Sequence, residues 1–474
     1  MRVCVRVWAT GTKGEALRVV SRTGERARHP EGFMKAGTVQ AVAEVIVRDI
    51  NDIVKKLTTE GGGSGGSLEA AEAMLGPMLR RWAGMALETA SEALREEVET
   101  QVQCRCGESA LYKGEQERQQ ETTVGTFRYR RGYWYCRGCA RGWYPLDEAL
   151  GMTGGQFSAK LEQAISLLGA GFPYRTAAQV LDTLVGVRVS ASSVERVVKR
   201  RGSVLEAHYQ EVEAGLMGGD EGAVSAPKAK RVGKGPWVVE LDAAKALFRD
   251  GWHEVKVGVV CLAESREGKS GLVKAVQPSY LSRVRNMEGA GERLYAEAVR
   301  RGVRPERDTV VCLADGAVVN WSQFELHFPH RVEVLDWYHA VEHLWVAGKA
   351  GLGEGSPESG AWVQEQLALL EQGQEGEMVR AVEELAQRSG SADVAREARY
   401  FRTNQERIRY AHFRSCGYPI GSGVVESACK QLVTARLKGP GMRWSDHGAQ
   451  CVLTLRCALL GQQWDQAWTL TKAA

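Results

Sequence analysis

The sequence predicts an α/β protein in which the α/β layer is preceded by helices and by a small cysteine-bearing β-ribbon. Three observations carry this. From Trp237 onward, apolar runs of strand length alternate with helical periodicity. Residues 101–146 contain short strands, turn glycines and two cysteine pairs. Residues 155–215 and 346–410 repeat apolar side chains at helical steps without strand-like runs.

The chain has 474 residues, enough for several domains and a sizeable core. Its 44% hydrophobic and 25% charged content is ordinary for a soluble protein. The formal charge of +4 is too small to identify a partner, but its distribution is uneven. Residues 401–474 hold ten Lys/Arg against four Asp/Glu, a balance that suits a polyanion. No run of eighteen apolar residues and no charged-then-apolar leader occurs, so neither a membrane span nor a secretory signal is expected. Eleven cysteines, an odd number spread along the chain, fit reduced thiols in the cytoplasm. Cys261 and Cys312, inside apolar runs, read as buried small hydrophobes.

Residues 1–66 begin with a strand-like MRVCVRVWATGTKGE, continue with a helix, AGTVQAVAEVIVRDINDIVKKL, and end in a flexible GGGSGG. Residues 67–150 open with a second helix, with Ser67 as candidate N-cap and Pro77 as a candidate kink. Its likeness to packing or self-association helices lies in its mixed-charge face. The ribbon follows. Cys104 and Cys106 precede two strands, and Cys136 and Cys139 follow them. Cys136-x-x-Cys139 has knuckle spacing, and four thiolates at about 2.3 Å close a structural zinc site; a redox or disulfide role is the alternative. Cys104-x-Cys106 is one residue shorter than the common knuckle. In TFRYRRGYWYC, Phe127 and Tyr129 alternate with Arg128 and Arg130. That gives an aromatic and a cationic face, suited either to a nucleic-acid backbone or to packing on a neighbour.

Residues 151–218 are expected to be helical and to contain a helix-turn-helix over 173–202. Its first helix spans about 175–185, Gly186 lies in the turn, and Ser190 or Ser192 caps the second helix. Val194, Val197 and Val198 are expected inside, and Arg196, Lys199, Arg200 and Arg201 outside, facing DNA. Residues 219–236 read as a polar connection.

In the α/β layer, three acids stand apart. Asp242 ends the apolar run of WVVELDAAKALF, and Val255–Leu262 supplies a strand that can pair with it as a hairpin. Asp315 ends the run of VVCLAD and is followed by a glycine turn and a helix; a further strand ends at Asp336. Glu426 lies on a late helix, Val424 to Leu437, whose Val424, Val425, Ala428, Leu432 and Ala435 recur at steps of three and four. Around it stand Lys430, Arg436, Lys438 and Arg443. Strand-end acids converge at the carboxyl edge of an open sheet. Three crowded carboxylates repel unless a cation joins them. Two Mg ions (or Mn) would supply that charge and promote phosphodiester cleavage, with the nearby bases holding DNA phosphates. His339 and His343, at i and i+4, lack the Glu of a metalloprotease helix, since Ala340 follows His339. His339 is placed instead beside the acids, with Asp336.

LDAAKALF…GWHEVKVGVV, CLADGAVVNW, VLDWYHAVEHLW and GSGVVESACKQLVTARLKGPGMRWS together resemble the ISKra-type family of bacterial insertion-sequence DDE transposases. CRGCARGWYPLDEALGM resembles that family's zinc-binding segment. The likeness covers about residues 100–470 and is strongest over 420–468. It implies an RNase H-like catalytic core divided into 237–345 and 413–474, with an all-helical insertion at 346–412. By motif match, Asp242, Asp315 and Glu426 take the places of the metal-binding triad, and Asp336-x-x-His339 those of a signature near the site. Ala243 stands where the family usually has glycine. The implied activity is binding of the element's terminal inverted repeats, metal-dependent cutting and joining to target DNA, by a nucleoid-associated homo-oligomer. A nuclease without strand transfer and a transposase-derived DNA-binding regulator are the alternatives.

Overall fold

The computed structural model describes residues 36–59, 68–100, 102–152, 155–219, 235–265 and 273–472. The expected N-terminal strand, the GGGSGG linker, the Ser67 cap and nearly all of the 219–236 connection lie outside these residues.

Helices α1 (Ala36–Thr59) and α2 (Leu68–Val98) pack together, and the Trp82 indole donates to the buried Asp49 carboxylate at 2.9 Å. Pro77 lies within α2, which continues through it. Strands β1 (Leu111–Thr122), β2 (Gly125–Cys136) and β3 (Arg141–Trp143) form an antiparallel sheet, closed by the short α3 (Pro145–Ala149). The alternation of β2 is as expected: Phe127 and Tyr129 are buried, and Arg128 and Arg130 are exposed. The aromatic face, however, is covered by Leu87 and Leu94 of α2 and by Leu146, so it packs on protein. Buried Asp147 of α3 ties this unit down, accepting from the Tyr129 hydroxyl at 2.7 Å and from Arg118 and Arg131.

Helices α4 (Ala159–Gly171), α5 (Tyr174–Val185) and α6 (Ala191–Met217) follow. Ser190 caps α6 by accepting from the Ser193 N–H at 3.0 Å, and Gly186 makes the turn at φ 69°. Val194, Val197 and Val198 are buried, as their spacing requires.

The larger sheet contains β4 (Trp237–Phe248), β5 (Gly251–Ser265), β6 (Val273–Val284), β7 (Val310–Ala314) and β8 (Arg331–Leu335). Its order is β6-β5-β4-β7-β8; β4, β5 and β6 form an antiparallel meander, while β7 and β8 lie parallel to β4. Helix α7 (Met287–Arg301) connects β6 to β7, and α8 (Val318–His327) connects β7 to β8. Strand β4 does not end at Asp242 but runs six residues further, because its hairpin with β5 continues to the Phe248–Gly251 pair. What stops near Asp242 is the parallel pairing with β7, last seen at Glu240–Leu313.

Helices α9 (Trp337–Leu352), α10 (Pro357–Glu371), α11 (Glu375–Ser389) and α12 (Ala392–Thr403) form the expected helical stretch. The glycine-rich GLGEGSPESG segment holds only a short turn: α9 extends through Leu352, and Ser356 with Pro357 starts α10. After α13 (Tyr410–Ser415), α14 (Gly423–Ala428) runs into a π-helical turn, Cys429–Thr434, and then α15 (Ala435–Leu437). Helices α16 (Asp446–Leu460) and α17 (Trp464–Lys472) complete the chain's described part. One continuous apolar cluster joins α4–α6, the five-stranded sheet, the helical stretch and α14–α16. No helix among the described residues is long and apolar enough to cross a membrane.

Candidate functional site

The pairing register brings three acids level. Glu240 pairs with Leu313 and Leu313 with Val334. Two residues further along each strand stand Asp242, Asp315 and Asp336. Neighbouring strands lie about 4.8 Å apart, so these acids form one row across β4, β7 and β8. Strand periodicity also places Glu240 on the same face as Asp242.

Glu426 reaches this row from α14. The Val425 N–H donates to the Glu240 carboxyl at 2.8 Å, which fastens the helix to β4. One turn beyond Glu426, the Cys429 thiol lies 3.5 Å from Asp242 Oδ2. A π turn inserts an extra residue into the helical repeat. Arg436 therefore turns inward where Ala435 was expected, and Ala435 is exposed.

The row is crowded with negative charge. Burial, and then the charge of Asp315, raise the Asp242 carboxyl. Burial pushes Glu240 up to about 8, with Asp336, Asp242 and Glu426 adding to the rise. Burial opposes ionisation of Asp336, but His339 and the Ser422 N–H hold its carboxyl below the usual range. Asp336 in turn raises His339 to about 9, with help from Asp315. Asp315 Oδ1 accepts from the Ala317 N–H at 3.0 Å and from the Asn320 amide at 2.9 Å, so it also shapes the Gly316 turn. The Tyr400 hydroxyl of α12 donates to the Asp315 carbonyl at 3.2 Å, and its ring stacks on His343. His343 is paired with Glu397 at 2.5 Å and so belongs to this support. Glu426 has Lys430 at 3.8 Å. Carboxylates outnumber cations in this row and offer hard oxygen donors, but among the described residues it is the ribbon cysteines whose ligand atoms come close enough together to share an ion.

In the ribbon, ligand atoms of Cys104, Cys106, Cys136 and Cys139 all lie within 4.8 Å of one another. Sulfurs of Cys104 and Cys139 are 3.3 Å apart, and those of Cys106 and Cys136 3.5 Å. The Cys106 N–H, and then the Cys139 thiol, lower Cys104 to about 7. Two facing pairs of thiols at this separation fit a tetrahedral metal such as zinc, short first knuckle included.

Two expected DNA contacts are corrected. Arg201 is buried, paired with Glu162 at 2.6 Å and donating to the Thr471 carbonyl at 2.7 Å. Arg436 is 1% exposed, donates twice to the Gly169 carbonyl, and lies against Tyr174 and Trp444. Both have become structural because a partner far away in the chain meets them. Arg200 is exposed but also pairs with Glu162, and Lys199 pairs with Glu195 at 2.5 Å. Arg196, Lys430, Lys438 and Arg443 are exposed. Sequence reasoning missed Glu240 and Tyr400. The first had a signal, since a glutamate two residues before Asp242 must share its face.

No family model matches the chain. A "UPF0236 protein in vanSb 3′ region" from Streptococcus gallolyticus is 24% identical over 324 residues, which cover 66% of this chain and 66% of that protein. The chain thus spans about two-thirds of the length of the relative it matches.

Proposed function

We propose that this protein is a DDE transposase: it binds the ends of an insertion sequence, cuts phosphodiester bonds there and joins the freed ends to target DNA. The observation that carries the reading is the level row of Asp242 and Asp315, with Glu426 brought to the same strand by the Val425–Glu240 bond. An RNase H-like core is the reading of the sheet: in order of appearance its strands run 3-2-1-4-5, with the second antiparallel to the rest of the central trio. The helices α10–α12 then form the insertion that separates Asp315 from Glu426.

Asp242, Asp315 and Glu426 would hold Mg or Mn, which when bound stabilises charge on a phosphoryl oxygen and favours a deprotonated nucleophile. The chain's own groups do the rest. Glu240 sets the height of α14 above β4, and the Tyr400 hydroxyl steadies the turn that carries Asp315. Exposed Lys430 on the π turn, and exposed Lys438 and Arg443 beyond the end of α15, would hold phosphates on either side of the scissile bond. His339, cationic beside Asp336, offsets part of the row's charge. Zinc on the four cysteines would fix a hairpin with little core of its own. The α5–α6 turn and Arg196 would serve end recognition, and holding two ends at once calls for a homo-oligomer on DNA.

Incubating the protein with labelled element ends, target plasmid and magnesium tests the reading. Joined products are expected. Cleavage without joining would make it a nuclease, and shifted but uncut DNA would make it a regulator.

A further inference from the structure

Helix α2, the β1–β2 turn and the α5–α6 turn, three elements distant in sequence, meet around one cleft. It encloses about 1190 Å³, part of it open solvent, and is lined by Arg80 and Arg81, by Glu121, Gly125 and Thr126, and by Asp182, Gly186, Val187 and Arg188. Arg80 comes close to the glycines of both turns. A Cβ at Gly125 would come within 2.4 Å of the Arg80 carbonyl oxygen. A Cβ at Gly186 would lie 2.3 Å from the Arg80 guanidinium, a flexible end that can move aside, so it is the φ of 69° that favours glycine there.

The charges facing this cleft are mostly matched. Arg81 is 3.6 Å from Asp49. Arg188, 88% exposed, lies 3.4 Å from Asp182. Glu121 accepts from the Thr126 hydroxyl and the Gln119 amide. Arg80 is the exception: half-buried, it forms no hydrogen bond or ion pair with any described residue. A guanidinium on the cleft wall with no protein partner among the described residues has its donors open to an anion entering the cleft. The cleft is too polar and too open for a small apolar ligand, and it sits beside the turn of a helix-turn-helix, where DNA backbones pass.

We infer that this cleft is a DNA phosphate site, with Arg80 as its principal donor and Arg188 as its outer donor, and that it clamps the backbone of an element end between the ribbon and the helix-turn-helix. The inference rests on the DNA-binding reading above. It also moves the main backbone contact away from the C-terminal part of the predicted recognition stretch, where Arg200 and Arg201 are engaged by Glu162.

The test is fluorescence anisotropy of the full chain on a labelled duplex carrying the DNA that borders its gene, over a salt series, with inorganic phosphate as a competitor. Arg80→Gln and Arg188→Gln should each weaken binding, Arg80→Gln by about tenfold or more, and flatten the log–log salt slope by about one. Arg80→Lys should keep most of the slope, and Arg388→Gln, an exposed change on the distant α11, should leave it unaltered. Inorganic phosphate should displace the duplex no better than sodium chloride of equal ionic strength, because the site is built for a polymer; stronger competition by phosphate would assign the site to free phosphate and overturn the inference. Unchanged affinity and slope in both glutamine variants would refute the cleft while leaving DNA binding intact. No binding of any duplex by the wild type would refute both. Because Arg188 is exposed, its variant reads the slope even if Arg80→Gln folds poorly.

Discussion

Asp242 and Asp315 stand at the same level of two adjacent parallel strands, because the register that pairs Glu240 with Leu313 advances both chains by two residues to reach them. Their mutual repulsion is part of what raises Asp242, and burial is the larger part. Such a pair is expensive to assemble unless a cation is to be held there.

The same crowding predicts a pH dependence through Glu240. Its folded value of about 8 lies above the usual 4.5, so between these pH values the folded chain holds a proton that the unfolded chain has released. Stability therefore falls as pH rises through that window. Glu240→Gln keeps an acceptor for the Val425 N–H and removes the titration. Its melting temperature, measured from pH 5 to 8 without added magnesium, should fall less than that of the wild type; an equally steep fall would discount Glu240.

Arg201→Met should act on folding rather than on DNA. It leaves the buried Glu162 with only the exposed Arg200, and breaking a buried pair typically costs about 3–5 kcal/mol. A lower denaturation midpoint with unchanged affinity of the folded protein is expected. The reverse result, normal stability with lost DNA binding, would restore Arg201 to the interface.

Zinc should be bound stoichiometrically, and Cys136→Ser should lose it. Cys136 is fully buried, and among the described residues the buried apolar cluster of this unit is Phe127, Tyr129 and Leu146. Metal analysis and a melting curve check this: loss of zinc together with a weakened first transition is predicted. A wild-type protein free of metal and a variant with an unchanged curve would oppose it.

Much of this arrangement was legible in the sequence, and the gaps have physical reasons. Apolar runs ending near Asp242, Asp315 and Asp336 located the strands, and the glycine and serine signals around 186–190 located the turn and cap of α6. Which strands pair, and in what register, depends on partners far apart in the chain, so the level row was not visible. The end of the run at Asp242 was mistaken for the end of β4, because a hairpin arm pairing on one side tolerates Ala and Lys where a strand paired on both sides needs apolar residues. Arg201 and Arg436 illustrate the commonest failure. Their helical positions were readable, but burial was decided by Glu162 and by the Gly169 carbonyl, and in Arg436 by a π turn that shifts the helical phase. Phe127 and Tyr129 alternated as expected, yet nothing local said that α2 would cover them.

Anomalous diffraction from crystals grown with manganese tests the central claim most directly. The account predicts a peak bounded by carboxylate oxygens of Asp242, Asp315 and Glu426, lost in Asp315→Asn. A fully ordered site with no peak there, or a peak that Asp315→Asn leaves in place, would contradict it.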